Sequence, residues 1–422
     1  MTFKKEKALL AGVNVNTDYN FRESMDELNN LAIACDFEIA GEIVQNLKNH
    51  NRAFCIGPGK IEEIKSLIEE TGSDIIIFDN ELSPTQLRNL SRVLESEIMD
   101  RTGLILEIFA RRAKTKEAKI QVEVAHLQYM LPRLIGLKES LSQQTGGVGT
   151  TTRGPGEKSL ELDRRKIEKK IFSLNKEIEL IKSERQTQRK KRKKAGLPSV
   201  ALVGYTNSGK STLMNAIIEH LNKAEGKKVL AKNILFASLD TAARNITLAD
   251  NRSFLLLDTV GFVNKLPHNL VKAFRSTLEE VSTADLLLHV IDVSAQNHDQ
   301  QIEITEKTLQ QIEAEGVPSI YVYNKTDLTS LSTPVVGKDK LYISAKKGIG
   351  IDELIKMVSE KVFSNYIKCR LLIPYEKSNL ISYLNDNAYV KSAIHRESGT
   401  LLRLECREAD YEKYKQYSSN EE

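Results

Sequence analysis

The sequence predicts an α/β protein of several domains, and three observations predict it. The stretch Gly204-Tyr205-Thr206-Asn207-Ser208-Gly209-Lys210-Ser211 fits the phosphate-loop pattern G-x-x-x-x-G-K-[ST], between an apolar run at 200–203 and an amphipathic run at 212–218. Short apolar runs alternate with helix-periodic stretches on both sides of it, the mark of strands packed under helices. At 422 residues the chain exceeds what one core organises, and its length suggests about three domains.

We divide the chain into an N-terminal α/β domain (1–112), an antiparallel coiled-coil hairpin with a Gly-rich loop (113–196), a phosphate-loop nucleotide domain (197–365) and a small C-terminal α+β domain (366–422). Lys plus Arg number 61 against 57 Asp plus Glu, a net charge of +4, so affinity for nucleic acid must come from local patches. Cys35, Cys55, Cys369 and Cys406 form no C-x-x-C pair and have no histidine at ligand spacing, which points to buried free thiols. The first residues lack a long apolar segment and no run approaches the ~18 apolar residues of a membrane span, so a cytoplasmic protein is expected.

In the first domain, residues 8–13 and 74–79 read as buried strands, and 24–35, 60–70 and 85–94 as helices, giving a mostly parallel sheet. Gly57-Pro58-Gly59-Lys60 reads as a turn and helix start. From Lys116 the period changes. Ile120, Val124, Leu127, Leu131 and Leu134 form one seam, and Ile167, Ile171, Leu174, Ile178 and Ile181 a second, as in an antiparallel helical hairpin. Pro132 is expected to kink or end the first helix.

The segment 136–158 between the seams reads as a long polar loop. Gly146, Gly147, Gly149, Thr150, Thr151, Thr152 and Arg153 are candidate RNA contacts, because glycines, small hydroxyls and one guanidinium suit close approach to folded RNA. A floppy tip has the same composition. The run Arg189-Lys190-Lys191-Arg192-Lys193-Lys194 is strongly one-signed and reads as a phosphate-backbone contact, with a solvated helix end or linker as the alternative.

In the nucleotide domain, backbone N–H groups of residues 204–212, through Thr212 at the helix start, are expected to surround phosphate oxygens. Lys210 reaches the outer phosphates and the Ser211 hydroxyl ligates Mg²⁺. Asp258-Thr259-Val260-Gly261 ends an apolar strand as D-x-x-G, placing Asp258 near the metal shell and the Gly261 N–H near a γ-phosphate. Asn324-Lys325-Thr326-Asp327 fits N-K-x-D: the Asp327 carboxylate accepts two guanine N–H groups and Asn324 reads the carbonyl edge. Ser344-Ala345-Lys346 offers backbone to guanine O6. Four signals in order, each after a strand, point to GTP, with Lys210 and Gly261 as candidate catalytic groups. His289, in the strand at 285–292, reads as a core residue. Phe262 follows Gly261 where many GTPases place a water-orienting Gln, so hydrolysis should be slow without a partner.

The segments Asp258-Thr259-Val260-Gly261-Phe262-Val263, Leu266-Pro267-His268 and Thr277-Leu278-Glu279-Glu280, with Arg153-Gly154-Pro155-Gly156-Glu157 and Leu162-Asp163-Arg164-Arg165 upstream, resemble the HflX GTPases from about residue 7 to 365. The resemblance implies a factor that binds the large ribosomal subunit, including 23S rRNA, as a monomer. It also implies a hairpin loop directed towards the peptidyl-transferase centre, stalled 70S ribosomes split into subunits in the GTP state, and ribosome-stimulated hydrolysis for release. A GTP-gated RNA-binding factor in large-subunit assembly is the alternative.

Phe236-Ala237-Ser238-Leu239-Asp240-Thr241-Ala242-Ala243-Arg244 resembles the family's F-A-T-L-D-P-T-T-R segment. Ser238 thus stands where a Thr senses Mg²⁺ and γ-phosphate, which makes it a candidate metal ligand and, with Lys210 and Gly261, a candidate catalytic group; Thr241 is a possible substitute. Asn207, by its place in related GTPases, is a candidate K⁺ ligand. The loop around Gly149-Thr150-Thr151-Thr152-Arg153 is about two residues longer than usual, at ~3.3 Å per extended residue, which suggests an antibiotic-resistance variant. In the last domain, 369–374, 388–394 and 400–404 read as strands and the stretch before Leu384 as a helix, docking on a ribosomal protein or on the nucleotide domain.

Overall fold

The computed structural model describes residues 5–15, 20–144, 155–194, 197–222, 242–259, 261–264, 275–331 and 334–419. The chain divides into two compact units, one built on Met1–Glu184 and the other on most of the chain from Arg185 onward.

In the first unit, β1 (Lys7–Val15), α1 (Phe21–Ala34), β2 (Glu38–Leu47), α2 (Pro58–Thr71), β3 (Ile75–Phe78), α3 (Pro84–Leu94), β4 (Glu97–Asp100) and α4 (Arg101–Arg112) alternate, and all four strands run parallel in the order β2-β1-β3-β4. β1 and β3 are central and buried on both faces, which is why they read as unbroken apolar runs. The edge strand β2 has one buried residue, Ile43, and its polar alternation hid it from the sequence reading, as shortness hid β4. Helix starts follow local chemistry. Gly57 precedes Pro58 in the first turn of α2, and Ser83 and Gln86 cap α3 reciprocally.

Two long helices follow, α5 (Lys116–Gln144) and α6 (Pro155–Lys194), and α5 with α6 up to Glu184 completes this unit. Ile120, Val124 and Leu174 are buried between them, flanked by Leu127, Ile171, Ile178 and Ile181. Lys116 lies 3.3 Å from Glu177 and Glu123 pairs with Lys170, so the partners run in opposite directions.

The expected loop boundaries need correction. α5 continues through Pro132 and Gly136 to Gln144, and α6 begins at Pro155 and takes in the whole basic run. Leu, Lys, Glu and Gln after Gly136 are good helix formers, and their propensities outweigh one glycine at ~1 kcal/mol. Pro132 removes one backbone donor without ending the helix. The candidate RNA residues Gly146, Gly147, Gly149, Thr150, Thr151, Thr152 and Arg153 lie outside the described residues.

The second unit holds β5 (Ser199–Val203), α7 (Lys210–Asn222), β6 (Ala242–Thr247), β7 (Ser253–Asp258), α8 (Arg275–Ser282), β8 (Leu286–Asp292), α9 (His298–Gln311), β9 (Ser319–Asn324), β10 (Val335–Val336), β11 (Lys340–Tyr342) and α10 (Ile351–Val362). The sheet order is β10-β11-β9-β8-β5-β7-β6, with only the edge strands β10 and β6 antiparallel to their neighbours. Val200, Leu202, Leu256, Leu288, Val290 and Val322 from its middle are buried, which fixes the strand ends where the sequence signals lie.

β12 (Ile367–Ile373), α11 (Ser378–Asn387), β13 (Tyr389–Arg396), β14 (Gly399–Cys406) and α12 (Glu408–Tyr414) form an antiparallel sheet, β12-β14-β13, with its own core. It meets the turn between β6 and β7. The Arg252 guanidinium lies over the rings of Phe363 and Tyr389, at 4.7 and 5.0 Å, and 3.7 Å from Glu405. Asn251 donates to the Asn385 carbonyl at 3.1 Å.

Candidate nucleotide site

The phosphate loop joins the end of β5 to the start of α7, and Lys210 is the first residue of that helix. Its Nζ donates to the carbonyls of Gly204 and Tyr205 at 2.9 and 2.8 Å. Burial pushes the ammonium down to about 8, against the pull of Asp258. Gly209 has φ +97°, and a Cβ there would sit 2.3 Å from Asn324 Nδ2, so this turn admits only glycine. Asn207 is exposed at φ +59°.

Ser211 donates from Oγ to Asp258 Oδ2 at 2.6 Å, joining the first turn of α7 to the end of β7. A hydroxyl and a buried carboxylate at one point are hard oxygen donors of the kind Mg²⁺ takes. The buried Ser208 Oγ in the same loop makes no hydrogen bond within the protein, and this orphaned hydroxyl fits a site built for an added polar group. Thr259 donates to the Leu202 carbonyl at 2.5 Å, and Thr206 N–H to the Phe262 carbonyl at 2.7 Å, while Phe262 N–H donates to the Gly204 carbonyl at 3.1 Å. Phe262 itself is buried, with its ring in the core. Gly261 lies against the phosphate loop: a Cβ there would be 3.0 Å from Lys210 Nζ.

The base end is held by side chains that bond across motifs. Asn324 donates from Nδ2 to the Ser208 carbonyl at 2.9 Å and accepts from Ala345 N–H at 3.0 Å. Ser344 Oγ donates to Asp327 Oδ1 at 2.6 Å, and Thr326 N–H to the Ile343 carbonyl at 3.2 Å. Lys325, at φ +66°, donates to Asp292 Oδ2 at 2.6 Å. Asn324 is thus a brace between the phosphate loop and the 344–346 turn, with one amide hydrogen left over. In that turn, Ser344 N–H bonds Ile349 and Ala345 N–H bonds Asn324.

His289 is a core residue, 5.3 Å from the Tyr321 ring; burial, and then Lys210, push its imidazole down to about 4. Phe236, Ala237, Ser238, Leu239, Asp240 and Val260 lie outside the described residues. Of the basic run, all on α6, Lys190 is exposed, and the side chains of Arg189, Lys191, Arg192, Lys193 and Lys194 lie outside the description.

Sequence reasoning missed Asp292, whose only signal is a carboxylate at the carboxyl end of a parallel strand. It also missed a buried network in the first unit. Asp100 accepts from Tyr129 Oη at 2.7 Å and Arg133 at 2.9 Å, and Arg101 pairs with Asp79 at 2.5 Å. Cys55 Sγ, expected to have no histidine near, lies 3.5 Å from His50 Nδ1. No group of three or more metal-ligating side chains occurs among the described residues.

A phosphate loop bonded to D-x-x-G on one side and to N-K-x-D on the other, on this sheet order, defines a P-loop GTPase, an enzyme that hydrolyses GTP. Family models cover the chain in order: GTP-binding GTPase N-terminal over residues 22–110, GTP-binding GTPase Middle Region over 112–192, 50S ribosome-binding GTPase over 199–325 and HflX C-terminal domain over 335–415. The GTPase HflX of Caldanaerobacter subterraneus subsp. tengcongensis is 43% identical over 401 residues, 95% of this chain and 91% of that protein. That of Escherichia coli K12 is 38% identical over 398 residues, 93% of this chain and 90% of its own. A GTP-binding protein of Sulfolobus solfataricus, solved in complex with GDP, aligns with 85% of this chain and 99% of its own at 26% identity and a TM-score of 0.45. The chain belongs to the HflX GTPase family.

Proposed function

We propose that this GTPase is a cytoplasmic translational factor that binds the large ribosomal subunit, contacts 23S rRNA, and in its GTP state separates stalled 70S ribosomes into subunits. The observation that carries this reading is the pairing, in one chain, of a nucleotide domain matching the 50S ribosome-binding GTPase model with a helical hairpin whose second helix has 40 residues. At 1.5 Å per residue such a helix reaches about 60 Å, long enough to carry a Gly-rich tip deep into a ribonucleoprotein. The basic run on α6 supplies local positive charge that the net +4 does not. The longer tip motivates an antibiotic-resistance role, in which residues 149–153 reach the drug-binding region of the subunit. The protein acts as a monomer, with the four domains bounded as in the sequence reading.

Ser211 and Asp258, with Ser238, would hold Mg²⁺, which when bound supplies positive charge to the phosphate oxygens. Lys210 holds a proton at Nζ beside the phosphate loop, and Gly261 admits the chain close to it. With Phe262 buried, no side chain at that position orients a water, so intrinsic hydrolysis is slow and the ribosome supplies the missing positioning. Asn207 recruits K⁺, and hydrolysis is faster in K⁺ than in Na⁺ buffers. Equal rates in the two buffers rule that ligand role out. Sedimentation with purified subunits tests the partner: the protein with a non-hydrolysable GTP analogue co-sediments with 50S particles, and failure to do so overturns the reading.

A further inference from the structure

Cys369 lies on β12 and Cys406 ends β14, its antiparallel neighbour. The register sets Cys369 opposite Leu404 and Cys406 opposite Ile367, so the two are diagonal neighbours on the core face of the sheet. Their Sγ atoms are 3.7 Å apart. Cys406 is fully buried and Cys369 is half-buried, so Cys369 is the more open of the two to solvent-borne reagents. The Cys406 S–H stabilises the Cys369 thiolate, holding its thiol below the ordinary value, and Cys406 rises in turn. Cys35 and Cys55 differ on every count. Burial pushes them up to about 12 and about 11, and neither bonds a second cysteine.

We propose that Cys369 and Cys406 are a redox modification site that closes to a reversible disulfide when the protein meets a hydroperoxide. The Cys369 thiolate attacks one peroxide oxygen, the O–O bond breaks, and a sulfenic acid forms as the first water leaves. Cys406 sulfur then attacks Cys369 sulfur, and the hydroxyl leaves with the Cys406 proton as the second water. Two thiols give up two electrons and two protons, and hydrogen peroxide becomes two waters. Closing the bridge takes the sulfurs from 3.7 Å to a bond of about 2.05 Å. Glu405, next to Cys406, pairs with Lys391 at 2.6 Å and faces Arg252 at 3.7 Å. The bridge therefore fastens the end of β14 that meets the turn between β6 and β7.

The test treats the full-length reduced protein with a few equivalents of hydrogen peroxide, alkylates the remaining thiols and maps the digest by mass spectrometry. The expected result is the loss of two of the four thiols, a cross-linked peptide pair joining residues 369 and 406 that lacks two hydrogens, and full recovery with dithiothreitol. Cys406→Ser should stop at a sulfenic acid on Cys369 that dimedone traps, and a Cys35→Ser/Cys55→Ser variant should still bridge. Four free thiols, a sulfinic acid on Cys369 beside free Cys406, or disulfide-linked dimers would each overturn the proposal.

Discussion

Lys210 holds its proton under opposing pressures, and nucleotide decides between them. Enclosed by protein and donating to two carbonyls, its ammonium has a pKa lowered to about 8. Phosphate charge beside it raises that value again. Binding of GDP or GTP near pH 8 should therefore take up roughly half a proton per site, and binding near pH 6, where Lys210 is already charged, should take up almost none. Titration calorimetry in buffers of different ionisation enthalpy measures this, and a binding heat at pH 8 that ignores the buffer contradicts it. We propose that Asp327 sets the base by the same logic of donors and acceptors. An ionised carboxylate only accepts, so Asp327→Asn presents a donor to guanine N–H groups and should weaken GTP roughly 10²-fold or more. The same change should favour xanthosine triphosphate, whose edge carries a carbonyl there. Unchanged preference in a competition assay would remove Asp327 from the base site.

At the scale of elements, the first unit hangs its hairpin on one carboxylate. Asp100, buried at the end of β4, accepts from Gly103 N–H at 2.9 Å, Leu82 N–H at 3.2 Å, Tyr129 and Arg133, and so joins β4, α4 and α5. Asp100→Ala strands the Arg133 guanidinium in a largely buried place and should cost about 3–5 kcal/mol. Urea unfolding checks it, and a change below about 1 kcal/mol would mean that the hairpin is held by packing alone. Such joints are invisible to periodicity, because residue 100 ends β4 while residues 129 and 133 lie on α5. What periodicity does see is burial on both faces, as in β1, β3, β5 and β8, and a sustained seam, as in α5 and α6. It failed at β2, an edge strand with a polar outer face, and at 136–144, where one glycine suggested a loop that the following helix formers overrode. The Cys369–Cys406 contact was hidden for the same reason as Asp100, since 37 positions separate the partners and only strand register brings them together.

For the whole molecule, four short motifs made the nucleotide site legible because each fixes a backbone conformation at a strand end. Their hydrogen bonds to one another, such as Asn324 to Ser208 and Ser211 to Asp258, had to wait for the sheet order. Membership of the HflX family ties that site to a chain that also carries the long hairpin, and we propose that binding energy of the GTP state is spent on separating the ribosome. Light scattering of vacant 70S ribosomes, mixed with this protein and GTP, a non-hydrolysable analogue or GDP, tests it most directly. The expected result is that scattering falls with GTP and with the analogue and stays level with GDP, because on this reading hydrolysis serves release and not separation. Level scattering with the analogue, while the protein still sediments with the 50S subunit, would contradict it.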